Sequence, residues 1–209
     1  MNTFLTAAAP RAVFERYLTR SEEKRLLAHI GRHAGMYAKR DHAWIRLIRH
    51  CGLRLGSLRG LTVGDARTAL RTRRIHAGDD HAKGGRGYDT PLNSGAEQAL
   101  RDLLSVRRAM RCPDDDDAPL ICSRLGKAMS ERSFQHRLQA WRQSAGLQVD
   151  VSPHWLRHSY AQRVIASTEA RDPQAVVQVL LGHASRASTT VYTLPTREDI
   201  ERAAEEACR

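Results

Sequence analysis

Apolar residues recur every three or four positions along most of this 209-residue chain, which predicts a fold dominated by helices. Thr19 and Glu22 have the spacing of a capping box, in which each side chain satisfies the other residue's backbone donor, and Leu26, Leu27 and Ile30 follow at helical intervals. A second helix runs through "HAWIRLIRHC" with Trp44, Leu47, Ile48 and Cys51 inward, and stops at Gly52, because glycine accepts the left-handed conformation that ends helices. From Ala66 to Leu92 the period changes. There "RRIHAGDDHAKGGRGYDTPL" predicts short strands joined by Gly- and Asp-rich turns, a small antiparallel sheet over about residues 66–92. Helix resumes in "GAEQALRDLLSVRRAM", and "CPDDDDAP" reads as a solvated acidic loop. Ser130 caps a helix carrying Phe134, Leu138 and Trp141, which Gly146 ends. Another helix follows Pro153, and Asp172 with Pro173 opens "QAVVQVLL", which Gly182 closes.

The last pattern begins at Thr196 and Asp199 and carries a narrow stripe of Ile200, Ala203, Ala204 and Ala207. The expected fold class is therefore α+β, mainly α-helical. Residues 1–18 form a short arm, 19–195 one domain, and 196–209 a C-terminal helix.

Charge narrows the partners. Lys and Arg total 34 against 23 Asp and Glu, a net charge of +11, which points to a polyanion such as double-stranded DNA. The four-aspartate loop then faces away from that partner. No apolar run reaches the eighteen or so residues that span a bilayer, and "MNTFLTAAAPR" lacks a secretory signal's pattern, so the expected place is the cytoplasm, associated with the nucleoid. Cys51, Cys112, Cys122 and Cys208 form no C-x-x-C pair and read as ordinary thiols.

In "VSPHWLRHSYAQRVIAS", His154, Arg157 and His158 stand three and four residues apart, on one face of the helix. Two histidines at i and i+4 suit zinc, but the glutamate of such a motif and a third ligand are both missing, so no metal or other cofactor is expected. Arg54 follows a Gly-Leu turn between two apolar helices and points a charge toward a shared cleft; such arginines require anionic partners. Lys83 lies in the glycine-rich hairpin "HAKGGRG", His183 just beyond a helix end, and Tyr192 among small hydroxyl residues.

In this order the six residues resemble the catalytic set of the tyrosine recombinases of the phage integrase family, most specifically through "HWLRHSYA" and "LLGHASRASTTVY". The resemblance spans roughly Leu18 to Thr193. It implies a site-specific DNA recombinase that cuts and rejoins strands through a 3′-phosphotyrosine, for integration, excision or inversion. Tyr192 is then the nucleophile, Arg54, Arg157 and His183 hold the phosphate, His154 is the base and Lys83 the acid. It also implies a monomer in solution, a tetramer on DNA, an accessory DNA-bending protein and a C-terminal helix exchanged between protomers, the alternative being a helix folded back on its own domain. A type IB topoisomerase would share the arginines and the tyrosine but usually lacks a histidine at the place of His154. A DNA-binding regulator with an idle site is the other alternative. Two departures stand out: Ser57 replaces the family's usual glutamate, and only a short arm, as in small invertases, precedes Thr19.

Overall fold

The computed structural model describes residues 16–78, 87–182 and 203–207. Eight helices and two strands follow one another among the described residues: α1 (Arg20–Gly31), α2 (Met36–Cys51), α3 (Leu55–Gly60), α4 (Val63–Thr72), β1 (Arg74–Ala77), β2 (Tyr88–Pro91), α5 (Ser94–Ala109), α6 (Glu131–Ser144), α7 (Pro153–Ser167) and α8 (Pro173–Leu181). Helix α2 is the centre of the packing, with α1, α5 and α7 against it. Trp44, Leu47, Ile48 and Cys51 are fully buried, as their spacing predicts. The expected caps form: Thr19 and Glu22 bond reciprocally, Ser130 accepts from the Ser133 amide, and Asp172 accepts from the Ala175 amide. Gly52 ends α2 at φ +62°, and a β-carbon there would lie 2.5 Å from the Tyr160 ring and 2.6 Å from Leu181. Glycine at this point therefore serves both the turn and the close approach of α7 and α8 to the end of α2.

The sheet is shorter than the sequence pattern suggests. Ala66–Thr72 belongs to α4, because Thr62 and Asp65 form a capping box and Ala66 and Ala69 pack inward three residues apart. Pairing runs only from Arg74 opposite Pro91 to Ala77 opposite Tyr88. Ile75 and Ala77 with Tyr88 and Thr90 form the buried face of this ribbon, while His76 bonds Asp89 at 2.8 Å on the exposed face. A lone two-stranded ribbon is marginal in water, so its place depends on α4 and α8, which pack against it. In the acidic loop, Arg67 bonds Asp114 at 2.8 Å and Asp116 at 2.5 Å, tying the loop to α4. Residues 203–207 form one exposed helical turn; Thr196, Asp199 and Ile200 of the expected last helix lie outside the described residues.

Two buried carboxylates tie the helices together. Asp41, wholly buried, accepts from Arg40 and Trp44 through Oδ1 and from Arg137 and Trp141 through Oδ2, which fastens α6 to α2. Glu23 takes Arg49 at 3.1 Å and Arg163 at 2.5 Å, joining α1, α2 and α7. Removing one partner from a buried ionic group typically costs about 3–5 kcal/mol. Asp41→Ala is accordingly expected to lower unfolding free energy by about that amount in urea titration, since Arg40 stays buried without its carboxylate. A loss under about 1 kcal/mol would show that water replaces the carboxylate without penalty.

Candidate active site

Helix α7 opens with Pro153 in its first turn, where the missing amide would have had no intrahelical partner. One turn later the side chain of Arg157 enters the protein and is buried. Its Nη1 donates to the carbonyl of Gly52 at 2.5 Å and to Tyr88 Oη at 3.3 Å, and its Nη2 donates to the carbonyl of Leu181 at 2.8 Å. The two carbonyls belong to the C-terminal ends of α2 and α8, where carbonyls lack intrahelical donors and the helix dipole is negative. All three acceptors are neutral, and among the described residues no carboxylate pairs with Arg157. Its positive charge is held in place without being neutralised, which suits it to an external anion.

Arg54 caps the start of α3 in an extended conformation. Its Nη2 lies 3.5 Å from the carbonyl of Gly182, and its guanidinium carbon 5.7 Å from the centre of the Tyr88 ring. Gly182 takes φ +59°, and a β-carbon there would meet the Tyr88 ring at 2.3 Å. The end of α8 and the Tyr88 side chain thus meet both guanidinium groups.

His154 stands at the solvent-exposed side of the same helix turn, with its Nε2 2.7 Å from Nε2 of the buried His158 and the rings 4.3 Å apart. Its pKa falls below 6.5, chiefly through desolvation and then through the charges of Arg157, Arg54 and Arg16. It is therefore mostly neutral at pH 7 and able to take a proton. A site whose histidine stands near three cations, and whose buried Arg157 rests on neutral acceptors, is complementary to a phosphate.

The structure thus brings together Arg54, His154 and Arg157; Lys83, His183 and Tyr192 lie outside the described residues. Gly182 is the last described residue before His183, and β1 and β2 flank the segment containing Lys83. Ser57 is buried, and its Oγ has no hydrogen-bond partner among the described residues. The carbonyls of Gly52, Leu181 and Gly182 and the side chains of Tyr88 and His158 were not read as site components from the sequence. Backbone acceptors leave no residue-type signal, and Tyr88 reads as one inward position of a short strand.

A sequence model of the Phage integrase family matches residues 16–198. The tyrosine recombinase XerC of Shewanella amazonensis is 40% identical over 156 residues, covering 75% of this chain and 49% of that protein. XerC of Neisseria gonorrhoeae is 35% identical over 170 residues, covering 81% of this chain and 52% of its own length. The chain spans about half the length of the curated relatives it matches. Among solved structures, XerA recombinase superposes with a TM-score of 0.72 at 24% identity, covering 91% of this chain and 65% of that one. XerH site-specific recombinase bound to difH substrate, in a pre-cleavage complex, gives 0.68 at 23% identity, covering 90% and 53%. These two likenesses establish a shared fold.

Proposed function

Because this chain belongs to the phage integrase family, we propose that it is a site-specific recombinase, which cleaves and rejoins double-stranded DNA through a 3′-phosphotyrosine. The observation that carries this reading is the convergence of Arg54 and Arg157 on the carbonyls at the ends of α2 and α8, beside His154. The two guanidinium groups take the non-bridging oxygens of the scissile phosphate, where negative charge builds in the transition state. Tyr192 Oη attacks phosphorus as His154 accepts its proton. The P–O5′ bond breaks with its electron pair going to O5′, which Lys83 protonates; His183 adds a donor to the phosphate. The reverse sequence, with a 5′ hydroxyl from another strand, rejoins the DNA, and the phosphotyrosine bond retains the energy, so no ATP is consumed. The arginines supply the positive charge that metal ions bring to other phosphoryl transfers, and the reaction takes no cofactor.

Nicked duplexes covering the DNA that flanks the gene, in which the cleaved fragment diffuses away, test this: an SDS-resistant protein–DNA adduct is expected. A chain that binds these duplexes and never forms the adduct would be a binding protein instead. Lys83→Ala is expected to cut slowly at a normal phosphodiester and to recover when the 5′ oxygen is replaced by sulfur, which leaves without a proton. Equal impairment on both substrates would remove Lys83 from the acid role.

The +11 charge supports a DNA partner held mainly through its backbone. Affinity for non-specific duplex should fall with salt at a log–log slope of about −0.9 per phosphate neutralised; a flat response, followed by fluorescence anisotropy, would contradict it. Strand exchange between two sites needs four active sites, so the chain acts as a tetramer on DNA, is a monomer in solution and recruits an accessory bending protein. It works in the cytoplasm on the nucleoid; among the described residues no helix is long and apolar enough to cross a membrane. The segment 196–209, through its narrow apolar stripe of Ile200, Ala203, Ala204 and Ala207, docks on a neighbouring protomer.

A further inference from the structure

Tyr88 does not belong to the six residues that the proposed chemistry uses, yet it touches both described arginines. It is one of the innermost residues of β2, about nine-tenths buried. Its hydroxyl accepts from Arg157 Nη1 at 3.3 Å, and its ring faces the Arg54 guanidinium at 5.7 Å. The same ring fills the space that a side chain at Gly182 would occupy, and Gly182 offers its carbonyl to Arg54. Two like charges held near one another repel, and each needs an anchor. A carboxylate anchor would neutralise the charge that the phosphate requires; a phenol oxygen and an aromatic face attract a cation while leaving its charge whole.

At Ser57 no carboxylate is present, and its Oγ makes no hydrogen bond among the described residues, so that position gives Arg54 no anionic support. The Tyr88 ring and the Gly182 carbonyl are neutral supports that the structure does provide.

We propose that Tyr88 is a positioning residue for strand cleavage, setting Arg54 with its ring and Arg157 with its hydroxyl so that both guanidinium groups meet one phosphate. This rests on the reading of the two arginines as the phosphate clamp. Two substitutions separate the contacts: Tyr88→Phe removes only the acceptor to Arg157, whereas Tyr88→Leu removes the acceptor and the aromatic face.

The test compares single-turnover adduct formation on two versions of the nicked duplex that the wild-type chain cleaves. One carries the normal scissile phosphate, the other a methylphosphonate, in which a methyl group replaces one non-bridging oxygen and removes the negative charge. A residue that acts through the arginines matters less on the uncharged substrate. On phosphate the rate is expected to fall about tenfold for Tyr88→Phe, the weight of one hydrogen bond to a charged donor, and further for Tyr88→Leu. On methylphosphonate both variants should lie within about threefold of wild type, with duplex affinity unchanged.

Equal losses on the two substrates would overturn the proposal, because a general defect in folding or docking does not depend on the phosphate's charge. Wild-type rates on both substrates would overturn it as well. If Tyr88→Leu melts more than about 8 °C below wild type, the comparison is decided on Tyr88→Phe, which keeps the ring that packs on Gly182. Failure of the wild-type chain itself to form an adduct overturns the clamp reading, and the role of Tyr88 falls with it. That outcome is distinct from an active wild type with indifferent variants.

Discussion

A Tyr192→Phe chain is expected to bind duplex DNA as tightly as wild type and to melt at the same temperature, while forming no covalent adduct at all. Only one oxygen atom is removed, and it is the atom that would bond to phosphorus. The chain has five tyrosines, and the structure argues against the other four as nucleophile. Tyr17 is buried. Tyr37 sits in the first turn of α2 while the site gathers at its last residue, about 20 Å away along a helix that rises 1.5 Å per residue. Burial pushes the Tyr160 hydroxyl up to about 12, which opposes the phenolate that an attack requires. Tyr88 Oη is committed to Arg157. SDS gels on nicked duplexes decide the matter: an adduct that persists in Tyr192→Phe and disappears in Tyr88→Phe would move the nucleophile to β2 and overturn both assignments.

The second large effect is expected at Arg157. Replacing it with alanine removes a preorganised donor to the phosphate, a loss of about 2.7–4 kcal/mol in transition-state stabilisation, or about 10²–10³ in rate. It also leaves the Gly52 and Leu181 carbonyls and the Tyr88 hydroxyl without their donor in the interior, so some loss of stability accompanies it. Arg157→Lys separates the two terms. Lysine keeps the charge but lacks the planar fork that reaches α2, β2 and α8 while still facing a ligand. It should retain the salt dependence of non-specific binding and still cleave about a hundredfold more slowly. A lysine variant within threefold of wild type would mean that charge alone suffices and that the fork is dispensable.

What the sequence determined by itself is whatever depends on neighbours along the chain. The box at Thr19 and Glu22, the Asp172–Pro173 start and the left-handed stops at Gly52 and Gly182 each involve residues within about four positions, and all are present. The inward positions of α2 follow from one period. The sheet begins at Arg74 and not near Ala66, and a local signal for this was available: Thr62 and Asp65 have capping-box spacing, and two alanines three apart mark a helix face. That Arg54, His154 and Arg157 would come together was likewise legible, because their order and neighbouring residues carry the resemblance to the family.

What only the tertiary structure decided is where those side chains are anchored. Periodicity placed His154, Arg157 and His158 on one face, but it could not say that Arg157 would be buried against carbonyls 105 and 24 residues away. Nor could it announce that Asp41 would collect Arg137 and Trp141 from α6, or that Glu23 would collect Arg163 from 140 residues on. Tyr88 carries the same lesson: in a four-residue strand its alternation tells only that it points inward. That it lies between two arginines follows from α2 and α8 ending side by side over the ribbon. A helical or strand period specifies the direction of a side chain from its own backbone; the partner it meets is set by how separate elements pack, and that is a property of the whole core.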